Sequence, residues 1–308
     1  MNPKDLITAK IIADSISTDG VRMTTMEIEY PRFILAELNT HRMLSKNSAS
    51  SRAIPVAAMH EHIRNNTATP VFWGKNQSGM QAKEELQGAD KSWAQYLWTT
   101  ARDYAINYSK ELSDLGSHKQ ITNRITEPWM IMKTVISGTE WKNFFWLRAH
   151  ADAQPEIHEL AIKMLDAYNK STPQQLNPGE WHVPYVSTTR DVATGELCYL
   201  DTNGSRISAE DARIVSSSCC AQVSYRKNDD SFDKAKKIYS QLIESQPCHA
   251  SPVEHQATPM NLLQISAYEP ENWKGYGVTH MTSDYSLWSG NLKGWIQFRK
   301  LIPGEAQW

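Results

Sequence analysis

Three stretches of the chain carry residue types able to do chemistry. The first is THRMLSKNSASSR, residues 40–52, in which Arg42 and Arg52 bracket Ser45, Asn47, Ser48, Ser50 and Ser51. Guanidinium forks suit phosphate, and hydroxyls with free backbone N–H groups complete such a cradle. The stretch lacks the glycines and the G-K-[ST] ending of a Walker loop. An anion site and a plain solvated loop both remain open. The second comprises NRITEP at 123–128, TEWKN at 139–143 and LRAHADAQPEIHEL at 147–160. Arg148 and Asp152 are four apart, so on a helix they share a face and can pair. Asn143, Gln154 and Glu156 add further polar groups to a largely apolar helix. Such groups are costly to bury without partners, which favours a ligand. The third is HASPVEH, residues 249–255. Two histidines and a carboxylate in seven residues suit a metal or acid–base cluster. The six-residue spacing of His249 and His255 fits neither H-E-x-x-H nor a common zinc finger. Pro252 suits a turn before a strand, so a polar turn is the equal alternative.

The elements that must position these residues are partly legible. Ile7–Ile12 and Val21–Tyr30 read as strands joined at Asp19-Gly20, a turn signal. In the second, Met26, Ile28 and Tyr30 face one side, with Thr25, Glu27 and Glu29 on the other. Pro31 opens a helix over Arg32–Thr40, and the Ser- and Asn-rich 41–56 reads as an ordered loop. A Gly-containing connection, 70–82, leads to a helix over 83–115. There Trp93, Tyr96, Leu97, Ala101, Tyr104 and Ala105 recur at near-helical spacing, with Gly116 as its cap. A helix from Ile121 breaks at Glu127-Pro128. A long helical pattern runs from Thr139 to Ser171, kinked or restarted at Pro155. Residues 172–218 are rich in Pro and Gly and read as an insertion with a hairpin. An apolar stretch at Ala221–Tyr225 and a helix over Asp230–Gln246 follow. Residues 265–308 are aromatic- and Gly-rich with little periodicity.

Composition excludes several classes. The 308 residues hold 32 Lys+Arg against 34 Asp+Glu, a formal charge of −2. A nucleic-acid binder driven by phosphate neutralisation is therefore disfavoured. With 40% hydrophobic and 21% charged residues, and no long apolar run, neither a membrane protein nor a disordered chain is expected. Cys198, Cys219, Cys220 and Cys248 form no C-x-x-C pair, so no structural metal is expected. Together with the absence of a signal-peptide pattern, they suggest the cytoplasm.

Taken together, the three stretches resemble the flavin-dependent thymidylate synthases, the ThyX family. Its signature has the form R-H-R, seven residues, then S-x-R. Thr40-His41-Arg42, Ser50 and Arg52 stand at those positions. Its N-R-x-x-x-P segment is matched by Asn123-Arg124 and Pro128. Its N-F-x-x-L-R…A-Q-x-E-I helix is matched by Asn143-Phe144, Leu147-Arg148 and Ala153-Gln154-Pro155-Glu156-Ile157. Two further motifs, A-R-V-S-Y and H-E-[TS]-P-F-E-H, normally precede the signature. Here their counterparts, Ala221–Tyr225 and His249–His255, lie late in the chain. The resemblance therefore implies a circular permutation.

The resemblance also implies an α+β fold, an antiparallel sheet packed by long helices at 91–115 and 139–171. It implies a single catalytic domain over 1–308, with insertions at about 56–110 and 172–218 and an aromatic-rich extension at 257–308. The implied activity is reductive methylation of dUMP at C5, with FAD as cofactor and methylenetetrahydrofolate and NADPH as co-substrates. The enzyme would be a homotetramer whose sites lie between subunits, binding no nucleic acid and no membrane. Carried over by position, Arg148, His249 and Ser50 are the catalytic candidates. His41, Arg42, Asn47, Asn143, Ser251 and Glu254 are the flavin candidates. Glu37, Ser48, Ser50, Ser51, Arg52, Arg124 and Arg148 are the nucleotide candidates. Thr40 replaces the first signature arginine, Ser48 a usual glutamate, Glu37 a frequent glutamine, and Gln222 the arginine of A-R-V-S-Y. A Gln-to-Glu exchange keeps acceptors and loses donors, which bears on base recognition. Two alternatives stand beside this reading: a related flavin- and folate-dependent nucleotide modifier, such as a hydroxymethylase, and a nucleotide-binding homologue without catalysis.

Overall fold

Strands β1 (Thr8–Ser17) and β2 (Arg22–Pro31) form the expected antiparallel pair. In the computed structural model, which describes residues 2–224, 231–245 and 247–306, they belong to a five-stranded sheet. Pro31 is followed by one 3-10 turn, Arg32–Ile34, and a short helix α1, Leu35–Asn39. The loop expected over 41–56 contains a strand, β3 (Ser45–Ser48), and then leads to α2 (Val56–Asn65). Helix α3 spans Gly88–Asp114 and ends at Gly116, whose φ of 85° suits glycine. A single turn, α4 (Lys119–Thr122), leads into a 3-10 segment, Asn123–Trp129.

Strand β4 (Ile131–Gly138) is central to the sheet and has no counterpart in the sequence reading. It is buried on both faces, so its apolar residues run without the alternation that marked β2. The long helix expected over 139–171 is two helices, α5 (Lys142–Arg148) and α6 (Pro155–Lys170). Gln154 caps α6 through its side-chain oxygen, with Pro155 at the first helical position. The break separates Arg148 from Asp152, so the expected pair does not form. Asp152 lies instead near His150, and Arg148 turns elsewhere.

The sheet order is β3-β4-β2-β1-β5, where β5 is Gln174–Leu176, parallel to β1; the other pairs are antiparallel. The segment 172–218 is more ordered than an insertion with one hairpin. Beyond β5 it forms a three-stranded sheet of β6 (Ser187–Arg190), β7 (Leu197–Leu200) and β8 (Arg206–Ile207), then enters α7 (Ala209–Ala221). The expected helix over Asp230–Gln246 is α8 (Phe232–Tyr239) closed by a π turn, Ser240–Glu244. Tyr225, Asp230 and Gln246 lie outside the described residues. The tail carries β9 (Ala257–Pro259), α9 (Pro270–Tyr276), β10 (His280–Met281), β11 (Leu287–Ser289), β12 (Leu292–Lys293) and β13 (Trp295–Gln297). β9 pairs with β13, and β10, β11 and β12 form a small sheet.

The two faces of the main sheet differ in kind. Met26, Ile28, Tyr30, Met132 and Ile136 pack with Phe144, Ile157, Leu160 and Met164 of α5 and α6 in an apolar core. The opposite face carries polar side chains. Ser15 Oγ meets His182 Nδ1 at 2.8 Å, and His182 Nε2 meets Thr25 Oγ1 at 2.8 Å. Thr25 Oγ1 lies 2.6 Å from Ser137 Oγ, which lies 2.8 Å from His255 Nδ1. All five are buried, so each hydrogen bond replaces water that cannot reach it. Helix α3 packs chiefly on α2, α4 and the 123–129 turn, away from the sheet it was expected to cover.

Candidate functional site

The signature stretch is held by a strand whose alternation divides it between the two faces. Ser45 and Asn47 pair with Ser137 and Val135, so they share the polar face. Lys46 and Ser48 pair with Ile136 and Thr134 and share the α5 face. Asn47 Nδ2 donates to the Cys220 carbonyl, and its Oδ1 accepts from Ser251 Oγ at 3.4 Å. The early signature and the late HASPVEH segment are thus neighbours, although 204 residues separate Asn47 from Ser251. Ser251–Glu254 is one 3-10 turn ahead of β9, the turn-then-strand expected from Pro252.

On the other face, Arg148 at the end of α5 reaches the signature. Its Nε donates to His41 Nε2 at 2.8 Å and its Nη2 to Thr40 Oγ1 at 3.2 Å. A ring nitrogen that accepts from arginine carries no proton, so the proton of His41 resides on Nδ1. Burial first, then the charges of Arg148 and Lys46, lower the His41 pKa to about 4. His41 also packs edge-on against Phe144. The remaining nitrogen of Arg148, Nη1, has no hydrogen bond among the described residues. Lys46 Nζ donates to the carbonyls of His41 (2.6 Å) and Leu44 (2.8 Å), leaving one of its three N–H groups unspent. Burial lowers its pKa to about 8, against the pull of the Glu254 carboxylate.

The nucleotide candidates fall into separate groups. Ser51 Oγ donates to Glu127 Oε1 at 2.5 Å, and the same carboxylate receives Arg124 at 3.1 Å and Arg32 at 3.1 Å. Asn123 Nδ2 ties the loop down through the carbonyls of Ser51 and Ile54. Ser48 Oγ and Tyr30 OH both bond Thr134 Oγ1 at 2.8 Å, so Ser48 belongs to a hydroxyl chain. Glu37 has one buried carboxylate oxygen without a partner among the described residues. Its charge adds to burial in raising the Glu156 carboxyl, at the start of α6. Ser50 is half-buried at the end of the stretch.

Arg42, Arg52, Asn143 and His249 are exposed. Their side chains make no hydrogen bond or ion pair among the described residues, and none of these contacts draws them together. Glu254 is bound by Arg299, and Gln297 reaches Ser45. Lys46, Asn291, Gln297 and Arg299 were absent from the sequence reading. Lys46 lay in view between signature residues. The other three carried no signal, because only folding brings the tail to β3.

A sheet-edge signature strand, an arginine from the end of α5 and a polar turn from late in the chain define a polar site at the rim of an α+β sheet. The thymidylate synthase complementing protein family model matches residues 21–174, half of the chain, and the chain belongs to that family. Among solved structures it is similar to a UMP/dUMP methylase PolB from Streptomyces cacaoi. The form bound with 5-Br UMP is 18% identical with a TM-score of 0.44, covering 53% of this chain and 89% of that one. The form bound with 5-Br dUMP is 16% identical with a TM-score of 0.43, covering 53% and 90%. No curated protein matches the chain at a significant level. No helix among the described residues is long and apolar enough to cross a membrane.

Proposed function

We infer that the chain is a flavin-dependent pyrimidine nucleotide methylase that transfers a one-carbon unit from methylenetetrahydrofolate to C5 of dUMP, with NADPH as reductant. The observation that carries this reading is Arg148 seated on the signature, donating to His41 and Thr40 while Nη1 stays unspent. A guanidinium fixed at two nitrogens presents the third in a set direction. Aimed at a uracil carbonyl, it polarises the ring and makes C5 nucleophilic. Arg52 and Arg124 are the cations for the monophosphate dianion. Ligand binding then exchanges the Arg124–Glu127 contact for a phosphate contact.

The donor set fits a flavin dinucleotide: the side chains of exposed Arg42 and Asn143 have no hydrogen-bond partner among the described residues, and half-buried Lys46 has a spare N–H. These three would hold its polar groups, with neutral His41 alongside. The hydride that completes the methyl group is the chemistry reduced FAD supplies when bound. The chain's own residues orient the base, neutralise the phosphate and keep His41 uncharged beside Arg148.

The same reading takes residues 1–308 as one catalytic domain in circularly permuted order. The contacts of Asn47 with Cys220 and Ser251, and of His255 with Ser137, support it. It also takes the enzyme to be a homo-oligomer. Helix α3 supports this with an exposed stripe of Trp93, Tyr96, Leu97, Tyr104 and Tyr108. A groove of about 700 Å³ runs from Ala101 to Leu115, lined also by Tyr104, Ala105, Tyr108 and Leu112, and reaches Ile125, beside Arg124. The stacked Trp93–Tyr96 pair stands one end away from the groove. Two antiparallel α3 helices crossing near Ala101 would seat the Trp93 and Tyr96 rings of each in the groove of the other, a self-complementary arrangement.

The test is product mass after incubation with FAD, NADPH, methylenetetrahydrofolate and each pyrimidine monophosphate. The expected product is dUMP plus CH2, lost in a folded Arg148→Ala variant. A gain of CH2O would mean hydroxymethylation. No product from any monophosphate, or full turnover by Arg148→Ala, would overturn the assignment.

A further inference from the structure

The tail lies outside the family match, yet it is tied to the signature strand and the late turn together. Asn291 Nδ2 donates to the Met43 carbonyl at 3.2 Å and lies 3.0 Å from Ser45 Oγ. The Gln297 amide is 1% exposed. Its Nε2 lies 3.2 Å from the Glu254 carbonyl, 3.0 Å from Asn291 Oδ1 and 3.4 Å from Ser45 Oγ. The backbone N–H of Gln297 donates to Ser289 Oγ, which donates to the Gly277 carbonyl, so the amide stands on a fixed base. Gly290 leaves room for it: a Cβ there would meet Gln297 Oε1 at 2.9 Å. Two residues on from Gln297, Arg299 donates through Nη1 to Glu254 and through Nε to Glu305 Oε2 at 2.5 Å. Lys300 holds the other oxygen of Glu305 at 2.6 Å.

These contacts solve a mechanical problem. Ser45 and Glu254 lie on segments far apart in sequence, so no short covalent link fixes one against the other. Weak polar contacts alone leave such a seam free to open. The tail spans it, with Asn291 and Gln297 on the β3 side and Gln297 and Arg299 on the turn side. We propose that the tail is a positioning clamp for the site, in which Arg299 sets the Glu254 carboxylate against the signature strand and thereby governs flavin affinity. This rests on the reading that Glu254 and the signature line the flavin site. Arg299 is a positioning residue and not a catalytic one.

Charge supplies a readout that a mere strut would not move. Glu254 contacts one cation, Arg299, and its charge favours the protonated form of a second, Lys46. Among the described residues, His41 and, through it, Arg148 are the other titratable and charged groups coupled to Lys46. With Arg299 removed, Glu254 answers to Lys46 alone, and the Lys46 ammonium is held more firmly.

The experiment uses the full chain with Arg299→Gln, Arg299→Lys and Glu305→Gln. FAD affinity is read by flavin fluorescence titration, and Lys46 titration by NMR of labelled lysine. Arg299→Gln is expected to weaken FAD binding about tenfold to a hundredfold, the range for a charged hydrogen bond. Arg299→Lys is expected to recover most of that loss. Glu305→Gln, which loses only the tail-side partner, should stay within about threefold of the parent. The Lys46 midpoint, near 8 in the parent, should rise in Arg299→Gln. An unmoved Lys46 midpoint overturns the proposal, as does a Glu305→Gln variant as impaired as Arg299→Gln. If the parent itself binds no FAD, the functional reading fails, and the clamp's link to flavin fails with it. The Lys46 titration then decides only whether Arg299 controls Glu254.

Discussion

The two faces of the main sheet are built on opposite principles. The α6 face is apolar: Met26, Ile28, Tyr30, Phe144, Ile157, Leu160 and Met164 are all buried there. Its cohesion comes from area removed from water and from close packing, neither of which is directional. The other face is held by a chain of directional bonds from Ser15 through His182, Thr25 and Ser137 to His255. One face tolerates any residue of suitable shape. The other requires each partner in place, because a buried donor or acceptor without one keeps its full desolvation cost. The signature strand sits where the two meet, with Lys46 and Ser48 on the first and Ser45 and Asn47 on the second. The comparison teaches that the α6 face supplies bulk stability, whereas the polar face supplies register between early and late chain segments.

The largest effect is expected on the apolar side. Phe144→Ala empties a buried aromatic site that also supports His41, and should cost about 3–5 kcal/mol in chemical denaturation. A cost under about 1 kcal/mol would show that this face is not the stabilising one. A smaller, pH-dependent effect belongs to the polar face. Burial lowers His182 to about 4 and His255 to about 3. Unfolded histidines titrate near 6.5, so below that pH the unfolded chain binds more protons than the folded one. Stability is therefore highest above about 6.5 and declines as pH falls towards 4. Between about 6.5 and 5, before most carboxylates titrate, His182→Gln should flatten that decline by about one proton's share, ~1.4 kcal/mol per pH unit. An unchanged slope would remove His182 from the network. The smallest effect on subunit stability is expected on the surface of α3. Trp93→Glu should change unfolding by only about 0.5 kcal/mol, yet shift the sedimentation coefficient towards a smaller species. An unaltered oligomer would assign the subunit contact to another face.

Legibility followed the same division. The alternation of Met26, Ile28 and Tyr30 announced an apolar face, and Pro155 announced a helix start. Strand β4 escaped notice because a strand buried on both sides loses its period of two. The spacing of the α3 aromatics was helical, but spacing cannot say whether a stripe meets the sheet or the solvent. Arg148 and Asp152 at four residues suggested a helix pair, and the break after Arg148 sent the guanidinium to His41 instead.

The sequence by itself determined some local segments, β2, α3 and the start of α6 among them, and it carried the motif residues that mark the family, because those depend on side-chain type and short-range spacing. Only the tertiary structure decided that Asn47 meets Ser251, that His182 from a loop-rich segment anchors β2, and that Arg299 grips Glu254. The reason is physical: contacts between residues far apart along the chain depend on how the strands stack and which face each presents, and no local periodicity records that.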